Sequence, residues 1–175
     1  MRVLNVHERS LPAAPGAVGA LLDGLSSRED ALWPAAHWPP LVMDRPLGVG
    51  AKGGHGPVRY AVSAYVPGRL VTCRFTAPAG FEGTHGFEIM PAGERGCILR
   101  HTLEMNATGP ALLSWPLVFR PLHDALLEDC LALAQAALGQ PPDIRPWSAW
   151  VRVLRWALSG ARHRSRRPPR RGDGL

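Results

Sequence analysis

The sequence predicts an α+β domain over residues 1–140, in which a curved antiparallel sheet closes on a long C-terminal helix around an apolar cavity. Two patterns carry this prediction. Residues 57–106 alternate apolar and polar positions between turns marked by glycine and proline, and residues 110–139 change to apolar steps of three and four. A third observation sets the limit of the domain. Residues 141–175 form a tail rich in arginine, tryptophan and proline.

Residues 2–11 alternate as a strand, with Val3 opposed to Arg2 and Leu4, and stop at Pro12. A short helix is expected from about Pro15 to Gly24, because proline suits a first helical position and Val18, Leu21, Leu22 and Leu25 repeat at helical spacing. A second small helical turn is expected at residues 28–33. The stretch Trp33-Pro-Ala-Ala-His-Trp-Pro-Pro40 is too proline-rich for a regular element and reads as a stiff aromatic loop.

Pro67-Gly68 fits the centre of a type II turn joining strands 57–66 and 69–76. Gly93 and Gly96 bracket another turn, between strands 82–91 and 96–106. Alternation then sorts the faces. One face holds Val58, Tyr60, Val62 and Ala64; Val71, Cys73 and Phe75; Phe87 and Ile89; and Cys97, Leu99, Leu103 and Met105. Parity carries His85 and His101 to that same apolar face. Arg59, Arg74, Arg100, Glu88 and Glu104 fall on the other, where cross-strand charge pairing is their ordinary role.

The covering helix reads from Leu112, Trp115, Phe119, Leu122, Leu126, Cys130 and Leu133. Thr108-Gly109-Pro110 is its expected start and Gly139 its stop, with Pro116 and Pro121 predicting kinks or a break in the first half.

The net charge of +6 is unevenly spread. Residues 143–175 hold nine arginines against Asp143 and Asp173, a net of +7, which leaves the rest of the chain at −1. An anionic partner would therefore have to meet the tail. Cys73, Cys97 and Cys130 are too widely spaced for a zinc site or a disulfide framework and read as buried thiols in a reducing compartment. The seven histidines show no ligand spacing, so no metal and no cofactor is expected. Gly53-Gly-His-Gly56 lacks the ending of a phosphate loop. The first residues reach a charge too soon for a signal peptide, and no apolar run approaches the roughly 20 residues of a membrane span. The expected location is the cytoplasm, with peripheral membrane attachment as an alternative.

Element order and local phrases together carry a resemblance. The phrases are YAVSAYVPGRL from Tyr60 to Leu70, GTHGFEIMP at 83–91, and WPLVFRPLHDALLEDCL at 115–131. Residues 1–140 resemble the START-like (Bet v 1-like, helix-grip) superfamily, in its bacterial SRPBCC or polyketide cyclase/dehydrase-like branch. The resemblance implies a cavity between sheet and long helix that takes a lipid, polyketide or similar apolar molecule. It also implies that a minority of such proteins catalyse cyclisation or dehydration, though no known catalytic set of that family is matched here.

Candidate ligand contacts are Tyr60, Phe75, His85, Phe87, Leu99, His101 and Leu103 on the sheet. Trp115, Phe119, Leu122, His123 and Leu126 are their counterparts on the helix, with Trp33 and Trp38 on the aromatic loop. His85 and His101 could bind a ligand's polar end or act as acid and base, or could be satisfied core histidines. Trp33, His37 and Trp38 could border a cavity mouth, or plug the gap beneath the loop. His123 is placed at the cavity and Asp124 in solvent, since adjacent helical residues do not face each other.

In the tail, a helix at about 146–158 places Trp147, Trp150, Val151, Leu154 and Leu158 on one side and Ser148, Arg152, Arg155 and Ser159 on the other. The basic run of residues 162–171 follows and is expected to be disordered. Such a segment can lie in an anionic membrane interface, with Trp147, Trp150, Arg152 and Arg155 in contact, or dock on the domain. No specific nucleic-acid motif is present. Three functional expectations stand: a binding protein for a small hydrophobic molecule, a polyketide cyclase or dehydratase using an inward histidine, and a membrane-surface lipid-handling protein. Oligomeric state and ligand identity lie beyond the sequence.

Overall fold

The computed structural model describes residues 1–93 and 96–165, with side chains as far as Leu158. The chain divides into two compact units, Met1–Arg145 and Pro146–Leu175.

The first unit is built on seven antiparallel strands: β1 (Arg2–Leu11), β2 (Val42–Met43), β3 (Lys52–His55), β4 (Val58–Val66), β5 (Leu70–Ala77), β6 (Phe81–Ala92) and β7 (Gly96–Ala107). Their order across the curved sheet is β1-β7-β6-β5-β4-β3-β2. From β3 onward each strand pairs with the next in sequence, and β1 closes the far edge against β7. Gly68, at φ 70°, occupies the position in the β4–β5 turn that needs a left-handed backbone.

Helix α1 (Pro15–Asp23) forms where expected, with proline in its first turn. Residues 28–33 do not form a second small helix. The Asp30 carboxylate accepts from the backbone N–H groups of Ser26, Leu32 and Trp33, and that local bonding replaces a helical turn.

Strand β3 runs through glycines that read as loop punctuation. Its glycines make the pairing possible: a Cβ on Gly53 would lie 2.1 Å from the Val42 carbonyl oxygen, and one on Gly54 2.0 Å from that of Val58. A bulge in β4 also alters a predicted face. Val62 pairs with Cys73, yet Ala64 pairs with Thr72 and Tyr65 with Val71. The extra residue shifts parity, so Tyr65 takes the side expected of Ala64, and its hydroxyl donates to Asp23 at 2.8 Å.

The covering segment is continuous from Ala111 to Ala137, as α2 (Ala111–Ser114), a π-helical turn (Trp115–Phe119) and α3 (Arg120–Ala137). The Arg120 N–H donates to the Trp115 carbonyl, so the chain absorbs Pro116 and Pro121 by widening one turn. Phase therefore changes across this turn, and Leu112, upstream of it, is exposed instead of facing the sheet. Downstream, Leu127, Cys130, Leu131 and Ala134 continue the buried stripe, which turns Leu133 outward. Leu138 and Gly139 end α3, with Gly139 at φ 71°.

The core lies between sheet and helix. Leu99, Leu103, Cys97 and Met105 of β7 are buried there with Ile89 and Phe87 of β6 and Leu126, Leu131 and Cys130 of α3. All three cysteines are free thiols. In the second unit, helix α4 (Ala149–Ser165) starts three residues later and runs further than the 146–158 expected. The basic run beyond residue 165 lies outside the described residues.

Candidate functional site

Strand register decides which histidines meet. In β6 and β7, His85 pairs with Leu103 and Phe87 with His101, so the two histidines are diagonal neighbours on the inner face. His85 Nδ1 lies 3.3 Å from His101 Nε2. Two neutral imidazoles bond in this way only if one donates and the other accepts. Gly83 and Gly86 flank the segment. A Cβ on Gly86 would sit 2.0 Å from the Val71 carbonyl oxygen and one on Gly83 2.2 Å from that of Glu104, so β6 comes this close to its neighbours only as glycine.

Aromatic rings surround the pair. His85 stacks on Phe75 at 4.6 Å between centroids and meets Tyr60 edge-on at 4.7 Å. Phe87 packs at 4.8 Å from His101. Phe81 joins Phe75 to Trp115 and Phe119 on the helical cover. On the far side Trp33 lies 4.8 Å from His55, which in turn faces Tyr60 at 6.1 Å. Several of these inner-face groups are only half-buried, among them Trp33, His55, Phe75, His85, Phe119, Leu122 and His123.

Trp38 differs from Trp33. It is buried, and its indole N–H donates to Asp129 of α3 at 2.7 Å, which fastens the proline-rich loop to the helix. His37 is exposed on the same loop. Leu99, Leu103 and Leu126 are buried in the core beside these groups.

Burial governs the chemistry of the rings. It pushes His85 down to about 3, with the nearby His123 and His55 rings adding to the shift. It holds His101 well below the ordinary histidine range, again reinforced by His123 and His85. His123 is lowered by burial, against the opposing pull of Asp124. These rings are neutral at physiological pH. Three of their nitrogens, His85 Nε2, His101 Nδ1 and His123 Nε2, are buried without a hydrogen-bond partner among the described residues, while His123 Nδ1 faces Asp124 Oδ1 at 3.7 Å.

The histidine path continues to a residue the sequence reading passed over. His123 lies 5.1 Å from His101 and 5.9 Å from His7, which pairs directly with His101 across β1 and β7. Alternation from Val3 places Asn5, His7 and Arg9 inward as well, and that parity was the available signal. His7 Nδ1 donates to Glu128 Oε1 at 2.9 Å and Nε2 to Asp124 Oδ1 at 3.1 Å. Ionised carboxylates only accept, so this ring carries both protons. Burial opposes its charge, but the bonds to Asp124 and Glu128 outweigh it and raise His7 above its ordinary value.

Asp124 is thus not simply solvated, as expected from its place beside His123. It also accepts from Asn5 at 2.9 Å, and despite burial the contacts with His123, His7 and Asn5 hold it well below the usual carboxylate range. Arg9 donates to Glu128 at 2.8 Å and pairs with Asp143, while Arg145 reaches Glu128 at 3.2 Å.

His7, His123 and Asp124 bring three ligand-type atoms within 4.8 Å of one another. The spacing alone would admit a divalent ion. However, both His7 nitrogens already serve carboxylates, and Arg9, Arg120 and Arg145 surround the acids with positive charge. The group is a charged clamp between β1 and α3.

On the outer face, Arg2 pairs with Glu104 and Arg100 with Glu8, so the predicted charge pairing draws its partners from β1. In the second unit the Arg155 guanidinium lies over the Trp147 ring at 3.7 Å. No helix among the described residues is long and apolar enough to cross a membrane.

No family model matches the chain, and no curated protein matches it in sequence. Solved structures do. Norcoclaurine synthase from Thalictrum flavum, in complex with dopamine and hydroxybenzaldehyde, matches with a TM-score of 0.58 and 15% identity over 79% of this chain and 88% of that one. A protein from Thermobifida fusca matches with a TM-score of 0.57 and 17% identity, over 81% of this chain and 99% of its own. CalU16 from Micromonospora echinospora gives 0.56 and 13%, over 92% and 94%. With its curved seven-stranded sheet closed by a long helix, the chain has the helix-grip, Bet v 1-like fold of START-like proteins.

Proposed function

We propose that this protein binds a small, largely apolar molecule with an aromatic ring between the sheet and α3, and that His85 and His101 hold its polar end. The observation that carries this reading is the set of three buried ring nitrogens without partners among the described residues, His85 Nε2 and His101 Nδ1 foremost. Buried polar atoms are nearly always hydrogen-bonded, and a ligand hydroxyl or carbonyl would supply what the protein does not. Tyr60, Phe75, Phe87 and Phe119 offer ring faces and edges around them. The dopamine and hydroxybenzaldehyde held by norcoclaurine synthase support a ligand of that size and character.

Fluorescence titration with 1-naphthol and with naphthalene tests the assignment. His85→Ala and His101→Ala should each weaken naphthol about 5–10-fold, the worth of one hydrogen bond, and leave naphthalene nearly unchanged. Equal naphthol affinity in parent and variants would sink polar recognition by this pair. Native mass spectrometry of gently purified protein should reveal the natural occupant.

The 3.3 Å contact between two neutral rings favours one second reading, an enzyme of the cyclase or dehydratase class. A neutral imidazole keeps a lone pair for proton abstraction at physiological pH. This reading predicts turnover of a poly-β-ketone or hydroxy-ketone that His85→Phe abolishes while naphthalene still binds. Turnover surviving in His85→Phe and His101→Phe would eliminate it.

A further inference from the structure

Helix α4 carries an exposed apolar strip of its own. Trp156 is 78% exposed, and Trp150 and Val153 are each 50% exposed. Their spacing of three residues places them along one strip of the helix, and Leu158 is exposed near its end. Exposing two indoles in water is unfavourable, and a strip of this kind marks a surface built to meet something. Arg152 is exposed and lies off this strip, whereas Arg155 is half-buried with its guanidinium over the Trp147 ring.

Charge identifies the partner. From residue 143 to the end the chain holds nine arginines against two aspartates, while the rest of the sequence is close to neutral. Tryptophan with arginine on one helix is the chemistry of a membrane interface. Indoles settle at the level of the headgroups, and guanidinium groups pair with lipid phosphates. A duplex nucleic acid would use the arginines but gain nothing from Trp150, Val153 and Trp156. No part of α4 among the described residues is long and apolar enough to span a bilayer, so the helix would lie along the surface.

We propose that α4 is a docking helix for an anionic lipid surface, with Trp150, Val153 and Trp156 inserted at headgroup depth and Arg152 paired with lipid phosphates. This rests on α4 and the arginine content alone, independently of the proposed ligand binding.

Flotation of the full chain with two vesicle types tests it: phosphatidylcholine alone, and phosphatidylcholine mixed with phosphatidylglycerol. The protein should float with the mixed vesicles and remain behind with the neutral ones, and raising the salt should weaken binding. Trp150→Ser with Trp156→Ser should lower binding to the mixed vesicles by at least tenfold (roughly the contribution of two interfacial indoles). Arg152→Gln should lower it by about fivefold. Thermal unfolding of each variant establishes that the chain remains folded. Absence of flotation, or equal flotation with neutral vesicles, would overturn the proposal. Unchanged binding of the double tryptophan variant would also overturn it, assigning the segment to general polyanion attraction.

Discussion

Replacing His7 by leucine tests whether β1 is fastened to α3 by charge. In the parent, the doubly protonated ring bridges Asp124 and Glu128 and is largely out of solvent. Removing one partner of a fully buried ion pair costs about 3–5 kcal/mol. Here the loss is smaller, because Glu128 keeps Arg9 and Arg145, and Asp124 keeps Asn5 and is itself partly solvated. About 2 kcal/mol is the expected loss, which for a chain of this size lowers Tm by about 4–8 °C. By contrast Arg2→Ala, which breaks the exposed pair with Glu104, should change stability by less than about 0.5 kcal/mol.

The pH dependence of the His7 effect has a fixed sign. His7 is raised above its unfolded value of 6.5, so its stabilisation is complete below that pH and disappears as pH rises through the raised value. Asp124 is lowered from 3.8, so its share is present above that value and lost only in stronger acid. The difference between parent and His7→Leu should be widest near about pH 5.5 and narrower by about pH 8.5. Urea denaturation of both proteins at the two pH values measures it. A difference that stays constant between them, or one no larger than that of Arg2→Ala, would refute the clamp.

The neutral histidines act in the opposite direction. His85, His101 and His123 are lowered, so their contribution is present above the unfolded value and lost as pH falls below about 6.5. A His85→Phe, His101→Phe double variant should therefore lose less stability than the parent between about pH 6.5 and pH 4.5, as followed by circular dichroism. Leu131→Ala should cost about 2–5 kcal/mol and Leu133→Ala less than about 0.5 kcal/mol in the same denaturation assay, because only the first is fully buried. Gly86→Ala should destabilise by at least about 2 kcal/mol, since its methyl group would meet the Val71 carbonyl; an unchanged Tm would show that β6 shifts freely there.

Much of the sheet was legible because alternation is a rigid code. Parity from Phe87 and from Leu99 is enough to bring His85 and His101 to one face, and the register then makes them diagonal neighbours. The same rule started from Val3 would have delivered His7. It went unused because an inner face carrying Asn5, His7 and Arg9 does not look apolar; its partners Asp124 and Glu128 are more than a hundred residues away. His55 reads from the sequence only as part of a glycine run, because two of the four residues of β3 are glycine and give no alternation to assign its face. Where parity failed, one inserted residue was the cause, as at the bulge after Val62 and in the π-helical turn after Ser114. Backbone irregularities of this kind leave little trace in composition.

The diagonal pair of histidines has one further consequence. When His85 Nδ1–H donates to His101 Nε2, His85 Nε2 is left as a bare lone pair and His101 Nδ1 as a donor. If a guest takes the proton of His101 Nδ1 and gives one up to His85 Nε2, the shared proton crosses between the rings and both outer ends exchange roles with no heavy atom moving. The same cradle can thus greet a ketone with a donor or an enol with an acceptor, and can follow a guest that interconverts between the two. A lone imidazole would have to make both exchanges at one ring, whereas the pair separates the donor and the acceptor across two rings and links them through the shared proton.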